Sequence, residues 1–199
     1  GDSFAAARKK AYEAVSKIIA EEGKMVSQSG GGQAANTMVA LGRMGFSTGY
    51  FGKVGSDPYG DFLLESMESV DISLVRKSKD SGICFVLLDP YRDRSNLVFP
   101  NANDETDLSD LDLGGLKETK FIHLTSFVGD MSLKSQKTLV AELPSRVKIT
   151  FDPGELYARR NLRELLPIIR RSTVVFLTDK EAMLLTGRAW QDGVRELLS

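Results

Sequence analysis

FIHLTSFVGDMSLKSQKTLVAELPSRVKITFDPGELYARRNLRELLPIIRRSTVVFLTDKEAMLLTG, residues 121–187, switches hydrophobic period in a regular order. Phe121–Leu124, Val147–Phe151 and Thr173–Leu177 are short apolar or β-branched runs, as strands buried on both faces require. Ser132–Leu143, Asn161–Arg171 and Lys180–Leu185 space their apolar residues as helices do. This alternation predicts βαβ crossovers, hence a doubly wound α/β fold whose sheet is mostly parallel and flanked by helices. Ligands of such folds gather outside the carboxyl ends of the strands. Asp152, at the end of the second run, therefore has two readings: a ligand-facing group, or a stabiliser of the turn at Pro153-Gly154.

Towards the N-terminus, Ala11, Val15, Ile18 and Ile19 oppose Lys10, Glu13, Lys17 and Glu21, which predicts a helix over Ala5–Glu22 stopped by Gly23. A second helix is expected over Ala34–Met44, closed by Gly45, and then a strand over Phe46–Gly52. A third helix, Tyr59–Glu68, is expected behind an Asp57 cap with Pro58 in its first turn. Ile83–Leu88 and Ser95–Phe99 flank a polar turn, Asp89 to Arg94, and predict an antiparallel hairpin. The hairpin breaks the α/β rhythm, so it is expected to form a small β appendage outside the main sheet. Cys84, Val86, Leu97 and Phe99 are expected on its inner side, against a nucleobase, a sugar's apolar face or a second copy of the hairpin.

The chain has 199 residues, 42% of them hydrophobic, enough for one substantial core. Its 26 Lys and Arg nearly balance 27 Asp and Glu, so no nucleic-acid partner is expected. The arginines from Arg159 to Arg171 are interrupted at helical spacing and read as a solvated face. One cysteine, Cys84, excludes an internal disulfide, and no apolar run is long enough to span a bilayer. A cytoplasmic protein is expected. Cys84 is expected to be a buried small hydrophobe, His123 a hydrogen-bonded sheet residue and Trp190 a packing residue.

Ser29-Gly30-Gly31-Gly32-Gln33-Ala34-Ala35-Asn36 joins a glycine run to a helix start. Glycines let a ligand approach the main chain, and the first helical turn presents unpaired N–H groups. Asn36 adds a donor and an acceptor that can meet two vicinal hydroxyls. The loop is neither a Walker loop nor a dinucleotide fingerprint.

Gly31-Gly32-x-x-x-Asn36, with Gly45 and Gly55 downstream, resembles the first signature of the ribokinase/phosphofructokinase-B carbohydrate kinases. Phe51 to Gly60, Ser81-Gly82, Pro100 to Asn103, Phe151 to Gly154 and Leu177 to Gly187 are similar to later blocks of that family, in the same order. The resemblance implies a ribokinase-like α/β domain with a small β-sheet lid, its strands mainly within 81–100. It implies transfer of the ATP γ-phosphoryl group to a hydroxyl of a sugar or a purine nucleoside, with Mg²⁺ as partner ion; the homodimer through the lid is expected from the apolar hairpin residues alone. Gly31, Gly32, Gln33 and Asn36 would hold the substrate. Thr178 and Glu181 would serve the cofactor, and Glu181 would organise the metal through water.

The sequence departs from that pattern in several places. The family's catalytic aspartate and most of its nucleotide pocket are expected beyond Ser199, so residues 1–199 read as one partial domain. Only Gly1-Asp2 stands where a first strand should precede the opening helix. The Ser66–Val70 link is shorter than the family's, Met38 replaces a small residue, and Thr178 stands where the N-x-x-E element has asparagine. A relative that binds substrate without catalysis is the rival reading.

Overall fold

The computed structural model describes residues 2–107 and 113–198. Helix α1 (Asp2–Glu22) leads through an extended segment to α2 (Gln33–Arg43), β1 (Gly52–Gly55) and α3 (Pro58–Glu65). β2 (Val75–Ser78) precedes the hairpin β3 (Ile83–Leu88) and β4 (Arg94–Phe99), and a 3-10 turn at Asn101–Glu105 leads back to the body. Then follow α4 (Leu113–Lys117), β5 (Phe121–Thr125), α5 (Asp130–Glu142), β6 (Lys148–Asp152), α6 (Gly154–Ala158), α7 (Leu162–Arg171), β7 (Val174–Val175), α8 (Asp179–Thr186) and α9 (Trp190–Leu198).

The expected α/β fold with parallel pairing is present. β5, β6 and β7 form one parallel sheet in that order, and β1 pairs with β2 in a second parallel sheet. The core lies between the first of these sheets and its helices. Ile149 and Phe151 on β6, Tyr157 on α6 and Leu165 and Ile168 on α7 have no exposed surface. The Tyr157 hydroxyl donates to Gln136 Oε1 (3.0 Å), and Gln136 Nε2 donates to the Thr125 carbonyl (2.8 Å), so this buried polar chain is satisfied. Burial pushes the Tyr157 phenol up to about 12.

Two strand expectations need correction. Phe46–Gly52 contains only an isolated bridge, Gly49 to Asp71, and the true strand is displaced to Gly52–Gly55. A strand forms where a partner offers its ladder, and the partner here, Val75–Ser78, lies opposite Gly52–Gly55. The run Thr173–Leu177 is regular strand only at Val174–Val175, although the amides of Thr173 and Phe176 also bond to β6.

The hairpin stands apart from both parallel sheets, as expected, but its faces are not those anticipated. Ile83 lies opposite Phe99, and Phe85 opposite Leu97, so these four residues share one half-buried face. Cys84, Val86, Leu88 and Val98 occupy the other. Tyr12 of α1 sits against the first face, 6.2 Å from the Phe85 ring and 5.1 Å from the Phe99 ring. Cys84 is exposed rather than buried, because the outer face of a two-stranded appendage has no layer packed on it. Trp190, expected to be a packing residue, is 45% exposed. Among the described residues no helix is long and apolar enough to cross a membrane.

Asp57 ties the root of the hairpin to the body. Its carboxylate accepts from Gly60 N (2.7 Å), which caps α3, and also from Ser81 N (2.8 Å) and Ser81 Oγ (2.6 Å). Burial alone would raise its pKa, but the hydrogen bonds from Ser81 and Gly60 outweigh it and hold the carboxyl below its ordinary value. Asn101 Nδ2 donates to the Ser81 carbonyl (2.8 Å), which joins the exit of the hairpin to its entry. The short Ser66–Val70 link is packed rather than strained, with Met67 and Val70 both buried.

Candidate functional site

Three chain segments meet at the carboxyl ends of β5, β6 and β7: Ser126 just beyond β5, Asp152 ending β6, and Thr178 shortly after β7. Adjacent parallel strands lie about 4.8 Å apart, so this row spans about 10 Å. Helix α2 packs on β5 and brings the glycine loop to the same end. Gly32 has φ 105 and ψ 138, a conformation that side chains resist, and it forms the N-cap of α2 without any side-chain cap. A Cβ on Gly31 would meet nothing within 4 Å.

Gln33 is the first helical residue, and its Nε2 donates to Asp152 Oδ2 at 3.3 Å. Ser126 Oγ points at Gln33 Oε1, at 3.5 Å. Asn36 is exposed one turn further along, on the same helix face as Gln33. The loop residues and Asp152 are therefore neighbours, although 119 positions separate Gln33 from Asp152.

Thr178 and Glu181 are also together, in a reciprocal cap at the start of α8. Glu181 N donates to Thr178 Oγ1 (3.2 Å), and Thr178 N donates to Glu181 Oε2 (2.8 Å). Thr178 thus performs the capping that an asparagine would, and one Glu181 oxygen is used structurally. A recess of about 280 Å³ opens beside Thr178, with Leu177, Ala182, Trp190 and Val194 among its walls. Nearby, Glu155 accepts from Lys180 Nζ (2.9 Å) and Arg159 Nε (2.9 Å), and these partners, Lys180 first, lower its pKa.

Among the described residues no group of three or more His, Cys, Asp or Glu converges as a metal cage. Asp152 ends β6, and Glu181 lies in the first turn of α8.

His123 is a sheet residue, as expected: Nδ1 lies 2.8 Å from Thr150 Oγ1 on the paired strand. Burial lowers its pKa and the nearby Asp152 carboxylate partly opposes this, so the net effect favours the neutral ring. Ser126 escaped the sequence reading, because a lone serine after an apolar run carries no signal.

A family model described as pfkB family carbohydrate kinase matches residues 2–199. An uncharacterized sugar kinase of Archaeoglobus fulgidus is 36% identical over 149 residues, covering 72% of this chain and 58% of that protein. A 5-dehydro-2-deoxygluconokinase of Mesomycoplasma hyopneumoniae is 29% identical over 171 residues, covering 79% of this chain and 51% of that one. The crystal structure of fructokinase with bound ATP from Xylella fastidiosa superposes with a TM-score of 0.72 at 21% identity, covering 84% of this chain and 57% of the other. The chain thus spans somewhat more than half the length of these curated relatives.

Proposed function

The chain belongs to the pfkB family of carbohydrate kinases, and from that premise we propose that it forms the substrate-holding part of an ATP-dependent sugar kinase. The observation that carries this reading is the meeting of the Gly31-Gly32 loop, Gln33 and Asn36 with Asp152 at the carboxyl ends of the parallel strands. Gly31, Gly32, Gln33 and Asn36 bind the substrate. Gly32 turns the chain so that the first amides of α2 face the ligand, and Asn36 reads two neighbouring hydroxyls with its amide.

Phosphoryl transfer asks little covalent chemistry of a protein. It asks for alignment, exclusion of water and neutralisation of charge on the phosphates. The chain supplies alignment through α2 and water exclusion through the hairpin, which serves as a lid over the loop. ATP, which the Xylella fastidiosa fructokinase structure contains, is the proposed phosphoryl donor. Magnesium, held near Glu181 through water, would neutralise the phosphates. Thr178 keeps Glu181 in place for that role. We propose that the chain forms one ribokinase-like unit with its lid strands mainly within 81–100.

The Glu181→Gln protein tests the metal role separately from the cap. Glutamine at this position still accepts the Thr178 amide, so thermal stability should stay unchanged. Loss of the charge should reduce magnesium-dependent turnover roughly 10–100-fold. Unaltered turnover at limiting magnesium would remove Glu181 from the site.

A purine nucleoside is the second substrate reading. It is favoured by one observation: the inner face of the lid gathers the rings of Tyr12, Phe85 and Phe99, which could stack on a base. Adenosine assayed beside fructose and ribose separates the two.

The outer face, with Val86 52%, Leu88 56% and Val98 52% exposed, is proposed to pair with a second copy of the lid. Val86→Asp should then shift the protein from dimer to monomer in sedimentation velocity. A wild-type monomer would refute the pairing. ATP supply and a single unpaired cysteine both fit a cytoplasmic location, which cell fractionation would check.

A further inference from the structure

Gln33, Asp152 and Ser126 come from three distant segments and converge beside Gly154 (φ 54): a Cβ there would lie 2.9 Å from Gln33 Nε2 and 3.4 Å from Ser126 Oγ. Asp152 is itself anchored, because its Oδ1 accepts the Gly154 amide at 3.1 Å. Its Oδ2 faces the Gln33 amide, and a carboxylate can face only the NH₂ end of that group. Asp152 therefore dictates which way the amide points, and Gln33 Oε1 must look toward Ser126. At 3.5 Å the Ser126–Gln33 bond is at the limit of a hydrogen bond, so the serine hydroxyl can be given to a ligand at little loss.

We propose that Ser126 is a specificity residue that hydrogen-bonds a substrate hydroxyl distinct from those read by Asn36, with Asp152 as the positioning residue that orients Gln33 beside it. This rests on the sugar-kinase reading above and deepens it. Ser126 can donate or accept and Gln33 keeps a free N–H, so the group selects a polyhydroxylated carbohydrate with hydroxyls beyond the Asn36 pair. A ligand lacking the hydroxyl opposite Ser126 forfeits that contact.

The test is a substitution–analogue cycle on the intact protein. Dissociation constants of D-fructose, D-ribose and their monodeoxy analogues are measured by calorimetry for wild type and Ser126→Ala. Ser126→Ala is expected to weaken the preferred sugar about tenfold with unchanged melting temperature. For one deoxy analogue, the one lacking the matched hydroxyl, the substitution should change nothing. A further variant, Gln33→Glu, sets a second carboxylate against Asp152 in place of the amide it orients, so sugar affinity at pH 7 should fall well below that of the wild type. Equal weakening for every analogue, or no weakening for the preferred sugar, overturns the proposal. Binding without phosphoryl transfer would count against the kinase reading alone, since the cycle is still read from affinities. No sugar binding at all would overturn both.

Discussion

Replacing Asn36 with alanine should weaken sugar binding by about 1–3 kcal/mol, roughly 5–150-fold, while leaving the protein folded. Asn36 is exposed on α2, so its amide supports no core contact and its loss costs the fold little. Binding is different. A sugar seated under the lid would have given up water around its hydroxyls, and each hydroxyl left without a partner there retains its desolvation cost. Asn36→Asp separates geometry from charge, since it keeps the acceptors and removes the donor. An intermediate loss would indicate that both ends of the amide are used. Unchanged affinity of the alanine protein, with an unchanged melting temperature, would remove the α2 face from the site.

Gly60→Ala should destabilise the protein by about 3 kcal/mol, the upper end of the cost of overpacking. A Cβ at Gly60 would overlap the Gly55 carbonyl oxygen and lie 2.9 Å from the Gly55 carbon. The neighbour is backbone of β1, which cannot rotate away as a side-chain tip can. The displacement would also pull the Gly60 amide from Asp57, whose other partner, Ser81, holds the base of the lid. The effect should therefore appear twice, as a lower melting temperature in calorimetry and as faster amide exchange in the hairpin. Stability within 1 kcal/mol of wild type would show that this close approach relaxes cheaply. Both glycines belong to the Phe51–Gly60 block: the Gly55 backbone requires glycine at 60, and the Ser81 amide, which a Cβ at 55 would strike, requires it at 55.

Much of this was legible along the chain because its causes are local. Periodicity within 121–187 reports burial, and Asp57 just before Pro58 reports a cap. What escaped depends on pairing. Val75–Ser78 has no apolar rhythm and is a strand only because β1 lies beside it. The faces of the lid were mixed because side-chain alternation fixes faces within each strand, but only the register, Ile83 against Phe99, says which residues share a face across strands. α6 was hidden behind Pro153-Gly154, which reads as a turn, yet it supplies fully buried Tyr157 and Ala158. In the site, Gly31 to Asn36 announced themselves through the glycine run. Ser126 and the Gln33–Asp152 bond are long-range consequences of how β5, β6 and α2 are brought together.

The proposed activity is transfer of a phosphoryl group to a sugar hydroxyl. It is tested most directly by following radiolabel from γ-labelled ATP in the intact protein with magnesium, offering D-fructose, D-ribose, adenosine or water alone. Label should appear in a sugar phosphate, at a rate lowered when Asn36 is alanine. Label appearing only as inorganic phosphate, or remaining in ATP with every acceptor, would contradict it.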